Sequence, residues 1–299
     1  MVTLIVNPDA GNGKSKKVAN TAKELLSAKK IPFRVWEAGA FGDARAMAEQ
    51  AASEYNEHAT EPEFLIAVGG DGTFLEVVRG LLGKKMPVAT LPAGTGNDFL
   101  KSLGVPLDPE EALEHILAAK HRSIDLGQLG DKLFANECGA GFDVTVLDYA
   151  IKARKYIKGP LSYLWGVIRA IFAHQSKAMS IVADGKEVFR GDCLVFSVAN
   201  GKYIGGGIPI SPTADPTSGQ LELVVLSHCS RLRMCSYLPG LLGGKILTFA
   251  HTVVHCRADH IVVEPLNQSE PLRVNVDGEI DDMARCDFTV LPAALSVHM

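Results

Sequence analysis

Short apolar runs alternate with amphipathic stretches through the first third of the chain. Thr3-Leu4-Ile5-Val6 predicts a strand, and residues 16–28 then carry apolar positions at helical spacing. Phe33-Arg34-Val35-Trp36 predicts a second strand, and residues 43–55 a second helix with Asp43 as its N-cap. Phe64-Leu65-Ile66-Ala67-Val68 is apolar at every position, as a strand buried on both faces of a parallel sheet requires. A helical pattern over residues 74–82 and a strand at Val88-Ala89-Thr90-Leu91 complete the series. Strand and helix alternating at this spacing predict a doubly wound parallel α/β domain over residues 1–125.

Beyond residue 125 the pattern changes to short strand-like runs separated by Gly, Pro, Asn and Asp. They fall at residues 133–135, 179–182, 193–198, 221–226, 260–264 and 272–276. A β-rich sandwich domain over residues 126–287 is expected, interrupted by helical stretches at 163–174 and 232–242. Residues 163–172 mix Leu, Trp, Val, Ile and Phe with few charges; an ordinary core helix is favoured over one that docks on lipid.

Composition narrows the function classes. The chain has 299 residues, a formal net charge of -4 and interspersed charges, which gives no reason to expect a nucleic-acid surface. The first apolar stretch lacks the length and basic flank of a signal peptide, and no apolar run approaches the ~20 residues of a spanning helix. A cytoplasmic location with transient, peripheral membrane contact is expected. The six cysteines form no CxxC pair, so free thiols are expected rather than a disulfide framework or a zinc site. His251, His255, Cys256 and His260 are near one another, but the intervening Thr-Val-Val favours a strand over a metal-binding helix.

The chemistry concentrates in three glycine-bearing segments that follow strands. Gly69-Gly70-Asp71-Gly72-Thr73, with Glu76 after it, lies between a buried strand and a helix. Glycines there let backbone approach an anion, and the helix start offers free N–H groups to phosphate. A carboxylate such as Asp71 belongs in such a site if it meets a phosphate-bound Mg²⁺, directly or through water. Gly94-Thr95-Gly96-Asn97-Asp98-Phe99 supplies a second loop with a hydroxyl, an amide and a carboxylate. Asn7-Pro8-Asp9-Ala10-Gly11-Asn12-Gly13-Lys14-Ser15 nearly matches a P-loop, but Pro8 stands where the leading glycine belongs, so a P-loop NTPase is excluded.

Together these segments resemble the diacylglycerol kinase catalytic-domain family, which includes soluble bacterial lipid kinases and the sphingosine and ceramide kinases. The resemblance continues through Ser123-Ile124-Asp125-Leu126-Gly127, Asn136-Glu137-Cys138-Gly139-Ala140-Gly141-Phe142-Asp143, residues 200–207 and Val276-Asp277-Gly278-Glu279. It implies an NAD-kinase/phosphofructokinase-like α/β domain plus a β-sandwich lipid domain. The active site is expected between them, and a C-terminal segment near residues 288–299 should return to the first. It implies ATP and Mg²⁺ as cofactors and diacylglycerol as the favoured substrate. Nucleotide contacts are expected from Asn7, Pro8, Asp9, Ala10, Gly11, the segment from Gly69 to Glu76, Gly94, Thr95 and Asn97. Asp71, Asp98 and Asp125 correspond to an acidic network around the catalytic metal, and Glu279 to the general base. The expected partner is a lipid at a membrane surface; a homodimer is compatible with the sequence.

This chain departs from the family's pattern at two places. Many members carry a structural Mg²⁺ in a loop written Asp-Gly-x-Leu; here Asp215, Ser218 and Gln220 occupy that loop, with Ser218 in the carboxylate's place. A hydroxyl is a poor ligand for a hard dication, so this site is expected to be weak or missing. A threonine common before Gly42-Asp43-Ala44 is also absent. Two other functions compete: an NAD kinase, which shares Gly-Gly-Asp-Gly-Thr, and a catalytically weak lipid-binding regulator.

Overall fold

The strands of the first unit form because apolar, β-branched sequence is buried on both faces. A computed structural model describes residues 1–58, 63–153, 156–157, 160–249 and 251–299, without the side chain of residue 160. The chain divides into two units, Met1–Leu126 with Leu291–Met299, and Gly127–Val290. In the first unit β1 (Val2–Val6), β2 (Phe33–Glu37), β3 (Phe64–Gly69) and β4 (Val88–Pro92) alternate with α1 (Lys14–Ala28), α2 (Asp43–Glu54) and α3 (Asp71–Leu81). α4 (Asp98–Ser102), α5 (Pro109–Ala118) and β5 (His121–Leu129) follow. The order is β2-β1-β3-β4, all parallel, with β1, β3 and β4 wholly buried and β2 half-buried at the edge. α2 packs on α3 and α1 on α5.

Two expectations for this unit need correction. Asp43 is not the N-cap of α2: Gly42 is, and the Asp43 carboxylate instead accepts the N–H groups of Gly39 (3.0 Å) and Ala40 (2.7 Å), closing the turn before the helix. α5 has no counterpart in the sequence reading, although Asp108 caps it by accepting from Glu110 N (2.9 Å) and Glu111 N (3.1 Å), with Pro109 in the first turn.

The second unit contains β6 (Lys132–Phe134), β7 (Glu137–Gly141), α6 (Phe142–Ala153), α7 (Pro160–Ala173), β8 (Lys177–Ala183) and β9 (Lys186–Ala199). It continues through β10 (Leu221–Ser227), α8 (Arg231–Leu242), β11 (Val253–Ala258), β12 (His260–Pro265), β13 (Leu272–Val276), β14 (Glu279–Met283) and β15 (Cys286–His298). The antiparallel order is β14-β13-β7-β9-β8-β12-β15, and β9 also pairs with β10, which pairs with β11. β9 folds the sheet over. Its first half pairs with β8, and its second half is held between β7 and β10. The core inside this fold centres on Phe134, Phe196 and Phe288, in edge-to-face contact at 6.3 Å between centroids. The end of β15 belongs to the first unit, where Val297 pairs in parallel with Val88 of β4.

α6 was not foreseen. Its sequence is rich in β-branched and aromatic residues, which favour strands, but packing against α7 decides otherwise. The expectation of an ordinary core helix at residues 163–172 is also reversed. Most of the large apolar side chains of α7, Trp165 and Phe172 among them, are exposed, while Ser162, Gly166, Ala170 and Ile171 are buried. Val253 and Val254 do precede His255 on a strand, β11, as expected.

The carboxylate oxygens of Asp143, at the start of α6, are buried, and burial pushes the carboxyl up to about 6. Its ionised form therefore costs stability. The cost is absent below about pH 4, grows as pH rises, and is complete above the folded value. Asp143→Asn is expected to raise the melting temperature at pH 8 and to leave it unchanged at pH 4. Equal melting temperatures at both pH values would show that Asp143 is already paired when ionised.

Candidate active site

Three loops meet at the carboxyl edge of the parallel strands of the first unit, and the glycines permit it. Gly69 lies opposite Pro92 in the β3–β4 register, and Ala93 N–H donates to Gly69 O at 3.1 Å. One step further on, a Cβ on Gly94 would lie 2.4 Å from the Cα of Gly70, so the two loops touch through bare backbone. The loop after β1 closes on the same place. A Cβ on Gly11 would stand 2.1 Å from the carbonyl oxygen of Ala93, and Gly11 has a left-handed φ of 59°. Asn7 ties this loop in by donating from Nδ2 to Thr73 Oγ1 at 3.2 Å and from its N–H to Val68 O at 3.1 Å. Its own Oδ1 accepts from Asp9 N–H at 3.1 Å, which sets the turn through Pro8, Asp9 and Ala10.

α3 starts at Gly70 without a side-chain cap, beside exposed Gly72. Its first N–H groups and the helix dipole make this a favourable place for an anion. Asp71 turns away from that role. Its carboxylate accepts from the N–H groups of Asp98 and Phe99, both at 3.2 Å, at the start of α4. Asn97, left-handed at φ 52°, closes the intervening loop, with Oδ1 accepting from Gly94 N at 2.9 Å and Nδ2 donating to Gly94 O at 3.3 Å. Thr95 at the loop's tip is exposed.

The carboxylates of Asp71 and Asp98 converge. A Cβ on Gly96 would lie 3.4 Å from Asp71 Oδ2 and 3.2 Å from Asp98 Oδ2. Burial and the charge of Asp98 push the Asp71 carboxyl up, against the pull of the two N–H groups. Asp98 is buried and also pairs with Lys101 Nζ at 3.1 Å. Two carboxylates directed at one buried point fit a hard dication, which would relieve their repulsion. Two other expected residues of this unit make contacts of their own. Asp125 is buried and accepts from Ala293 N–H at 2.8 Å, anchoring the returning C-terminal segment. Glu76 Oε2 accepts from Gly42 N–H at 3.2 Å and so fixes the start of α2.

In the second unit Glu279 begins β14, opposite Val276, after a tight turn in which Asp277 (φ 47°) and Gly278 (φ 98°) are both left-handed. Lys132, paired with Asp281 at 2.5 Å, is raised first by that pairing and in part by the charge of Glu279. The sequence left Asp277 as one of several turn acids, but its carboxylate gathers the N–H groups of Ala135 (2.6 Å), Asn136 (3.2 Å) and Glu137 (2.8 Å). It therefore ties the hairpin to the segment that opens β7. The left-handed Asp-Gly pair was a signal for this turn, but nothing in sequence named the partner.

The Asp215 loop does not offer a dication the ligands its family pattern implies. Asp215 Oδ1 is used by Thr217 N (2.9 Å) and Thr217 Oγ1 (2.8 Å), which hold its carboxyl low. Ser218 Oγ donates to Gln220 O at 3.1 Å and accepts from Gln220 N at 3.3 Å. The Gln220 side chain reaches away to Asp259 Oδ1 at 3.0 Å.

A parallel α/β unit with glycine loops at its carboxyl edge, followed by a folded-over β unit, defines the class to which the chain belongs: the diacylglycerol kinase catalytic domain family. Residues 1–129 match that domain, and residues 136–299 match the YegS C-terminal NAD kinase beta sandwich-like domain. A probable lipid kinase YegS-like protein of Pseudomonas aeruginosa is 33% identical over 100% of this chain and 94% of its own length. A diacylglycerol kinase of Bacillus subtilis is 28% identical over 99% of this chain and 95% of its own. A crystal structure of a putative diacylglycerol kinase from Bacillus anthracis superposes with a TM-score of 0.80 at 26% identity, over 99% of this chain and 94% of that one. An ATP-bound NAD kinase from Archaeoglobus fulgidus shares the fold, with a TM-score of 0.54 at 15% identity over 100% of this chain and 94% of that one.

Two predictions come from these contacts. Asp277→Ala strands three buried N–H groups and is expected to destabilise the protein by about 2–3 kcal/mol, read as a lower denaturation midpoint at unchanged slope. A stability within 0.5 kcal/mol of wild type, on the order expected of a surface change, would show that the turn acid is merely solvated. Ser218→Asp is expected to create a Mg²⁺ response in melting temperature that the wild-type Asp215 loop lacks. A wild-type shift that Ser218→Ala abolishes would mean that the native loop binds the ion.

Proposed function

We propose that this protein is a lipid kinase that moves the γ-phosphoryl group of ATP, with Mg²⁺, to a lipid hydroxyl, with diacylglycerol converted to phosphatidic acid as the leading reaction. The observation that carries this reading is the convergence of Asp71 and Asp98 beside the uncapped start of α3, in a family whose relatives are named as lipid kinases. The free N–H groups of α3 and the Gly70 and Gly94 loops hold phosphate oxygens. Asn7, Pro8, Asp9, Ala10, Gly11 and Thr95 bound the nucleotide, and Asn97 fixes the second loop. Asp71 and Asp98 hold the metal, directly or through water, with Asp125 completing the acidic network. When bound, Mg²⁺ supplies positive charge that offsets the phosphates and the charge developing between them.

The remaining requirement is a proton acceptor. The lipid hydroxyl oxygen bonds to the γ-phosphorus, the bond to the β–γ bridging oxygen breaks, ADP leaves, and the hydroxyl proton passes to Glu279. Likeness to the NAD kinase supports only the shared fold, at 15% identity. ATP-dependent phosphate transfer is therefore measured over diacylglycerol, monoacylglycerol, sphingosine, ceramide, phosphatidylglycerol and NAD. Product from NAD alone would overturn the lipid reading.

Glu279→Gln is expected to lower kcat by about 10²–10⁴-fold with little change in ATP affinity or melting temperature. Asp282→Asn is the control and should matter little, since Asp282 is an exposed partner of Arg273 at 3.7 Å. A loss under threefold for Glu279→Gln removes it as the base. Asp71→Asn is expected to raise the Mg²⁺ needed for half-maximal rate without unfolding the protein; full activity at limiting Mg²⁺ would exclude Asp71 as a metal group.

A further inference from the structure

α7 is packed inside out. Ser162, Gly166 and Ala170, four residues apart, form its buried side together with Ile171, against which Val167 packs. A Cβ on Gly166 would lie 2.6 Å from the carbonyl oxygen of Val146, so α6 and α7 cross with backbone nearly in contact. Five large apolar residues face water instead: Leu161 is 64% exposed, Leu164 54%, Trp165 47%, Ile168 43% and Phe172 64%. Their spacing places them on a single stripe along the helix. A stripe of this size on one helix exceeds the scattered apolar exposure of ordinary surfaces and marks an interaction face.

The charged residues on α7 and α8 have one sign. α7 and α8 contain no acidic residue. Arg169 is exposed on α7, and α8, which packs on α7, begins with exposed Arg231, Leu232 and Arg233. The Arg231 guanidinium lies 6.0 Å from the centroid of the Phe172 ring and donates from Nη2 to the Phe172 carbonyl at 3.0 Å, which fixes a cation at one end of the stripe. Lys152, near the end of α6, is exposed as well and shares the Tyr149 ring with Arg169, at 5.7 and 5.4 Å.

We propose that this face, Leu161 to Phe172 of α7 with Arg231 and Leu232 of α8, docks the protein on the surface of an anionic lipid bilayer. Apolar side chains flanked by cations, on two helices that contain no carboxylate, fit the boundary between acyl chains and negatively charged headgroups. A second copy of the chain fits poorly, because two such faces would set arginines against arginines with no acid to separate them. The inference rests on the lipid-kinase reading, since the substrate of such an enzyme lies in the bilayer.

The test uses the full chain and vesicles of phosphatidylcholine with or without phosphatidylglycerol. Wild type is expected to sediment with the anionic vesicles, less so as salt rises, and to show a blue-shifted Trp165 emission in a Trp36→Phe background. Leu164→Glu with Ile168→Glu is expected to lower this binding at least tenfold. Phosphorylation of a short-chain diacylglycerol dissolved as monomer should stay unchanged. A second variant, Arg169→Gln with Arg233→Gln, keeps the apolar stripe and is expected to lose binding to the anionic vesicles severalfold. Wild type that ignores anionic vesicles, or both variants binding within twofold of wild type, overturns the proposal. So does a wild-type dimer that the glutamate variant dissociates while vesicle binding persists. Failure of the kinase reading is seen separately, as no transfer to monomeric lipid by a wild type that still binds vesicles.

Discussion

The contact between Gly70 and Gly94 is the constraint on which the first unit's site depends. A methyl group at residue 94 would lie 2.4 Å from Cα of Gly70, so any side chain there forces the loops after β3 and β4 apart. Their closeness follows from the strands below, which are neighbours in parallel register up to Gly69 and Pro92. Because the loops touch, the N–H groups of Asp98 and Phe99 come within reach of Asp71. Asp98 is then buried beside Asp71, although two carboxylates at close range repel. The backbone contact thus fixes the charge arrangement, and the charge arrangement fixes the kind of ligand that can be held.

Two of the chain's three Asp-Gly pairs, at residues 71–72 and 277–278, solve a similar problem in different units. Asp71 accepts N–H groups from the start of α4, and Asp277 accepts them from residues 135–137. Each carboxylate joins segments far apart in sequence by satisfying backbone donors that would otherwise be costly to bury. They differ in what is left over. Asp71 has a second carboxylate directed at the same point, so its charge remains useful to a cation. The acceptors of Asp277 are engaged by its own chain, where they tie the hairpin to residues 135–137.

Much of this was legible in sequence because strand burial and glycine loops have strong local signatures. Wholly apolar runs such as residues 64–68 leave little choice but a buried strand, and the loops that follow them are placed by that fact. What escaped detection depends on partners. The β-branched residues of α6 favour a strand in isolation, and only its packing against α7 makes the segment helical. Periodicity revealed α7 but not which of its sides meets the protein, because Ser162, Gly166 and Ala170 give no apolar signal and yet form the packed side. The anchor of Asp125 on Ala293 joins residues far apart in sequence, for which no local pattern exists.

The charge of the whole chain sharpens the meaning of the α7 face. With a formal net charge of -4 the protein as a whole is repelled by an anionic surface. It approaches such a surface only if its cations are segregated, and the field falls off within about 10 Å at 0.1 M salt, so only the cations near the contact count. Arg169, Arg231 and Arg233 meet that condition: they stand exposed on the two helices that contain no acid. Gly166 is what allows such a face, because the close crossing with α6 lets the small side of α7 do the packing and leaves Trp165 and Phe172 available for the bilayer. A single bulky residue at 166 would push α7 away from α6 and disturb the buried side and the docking stripe together.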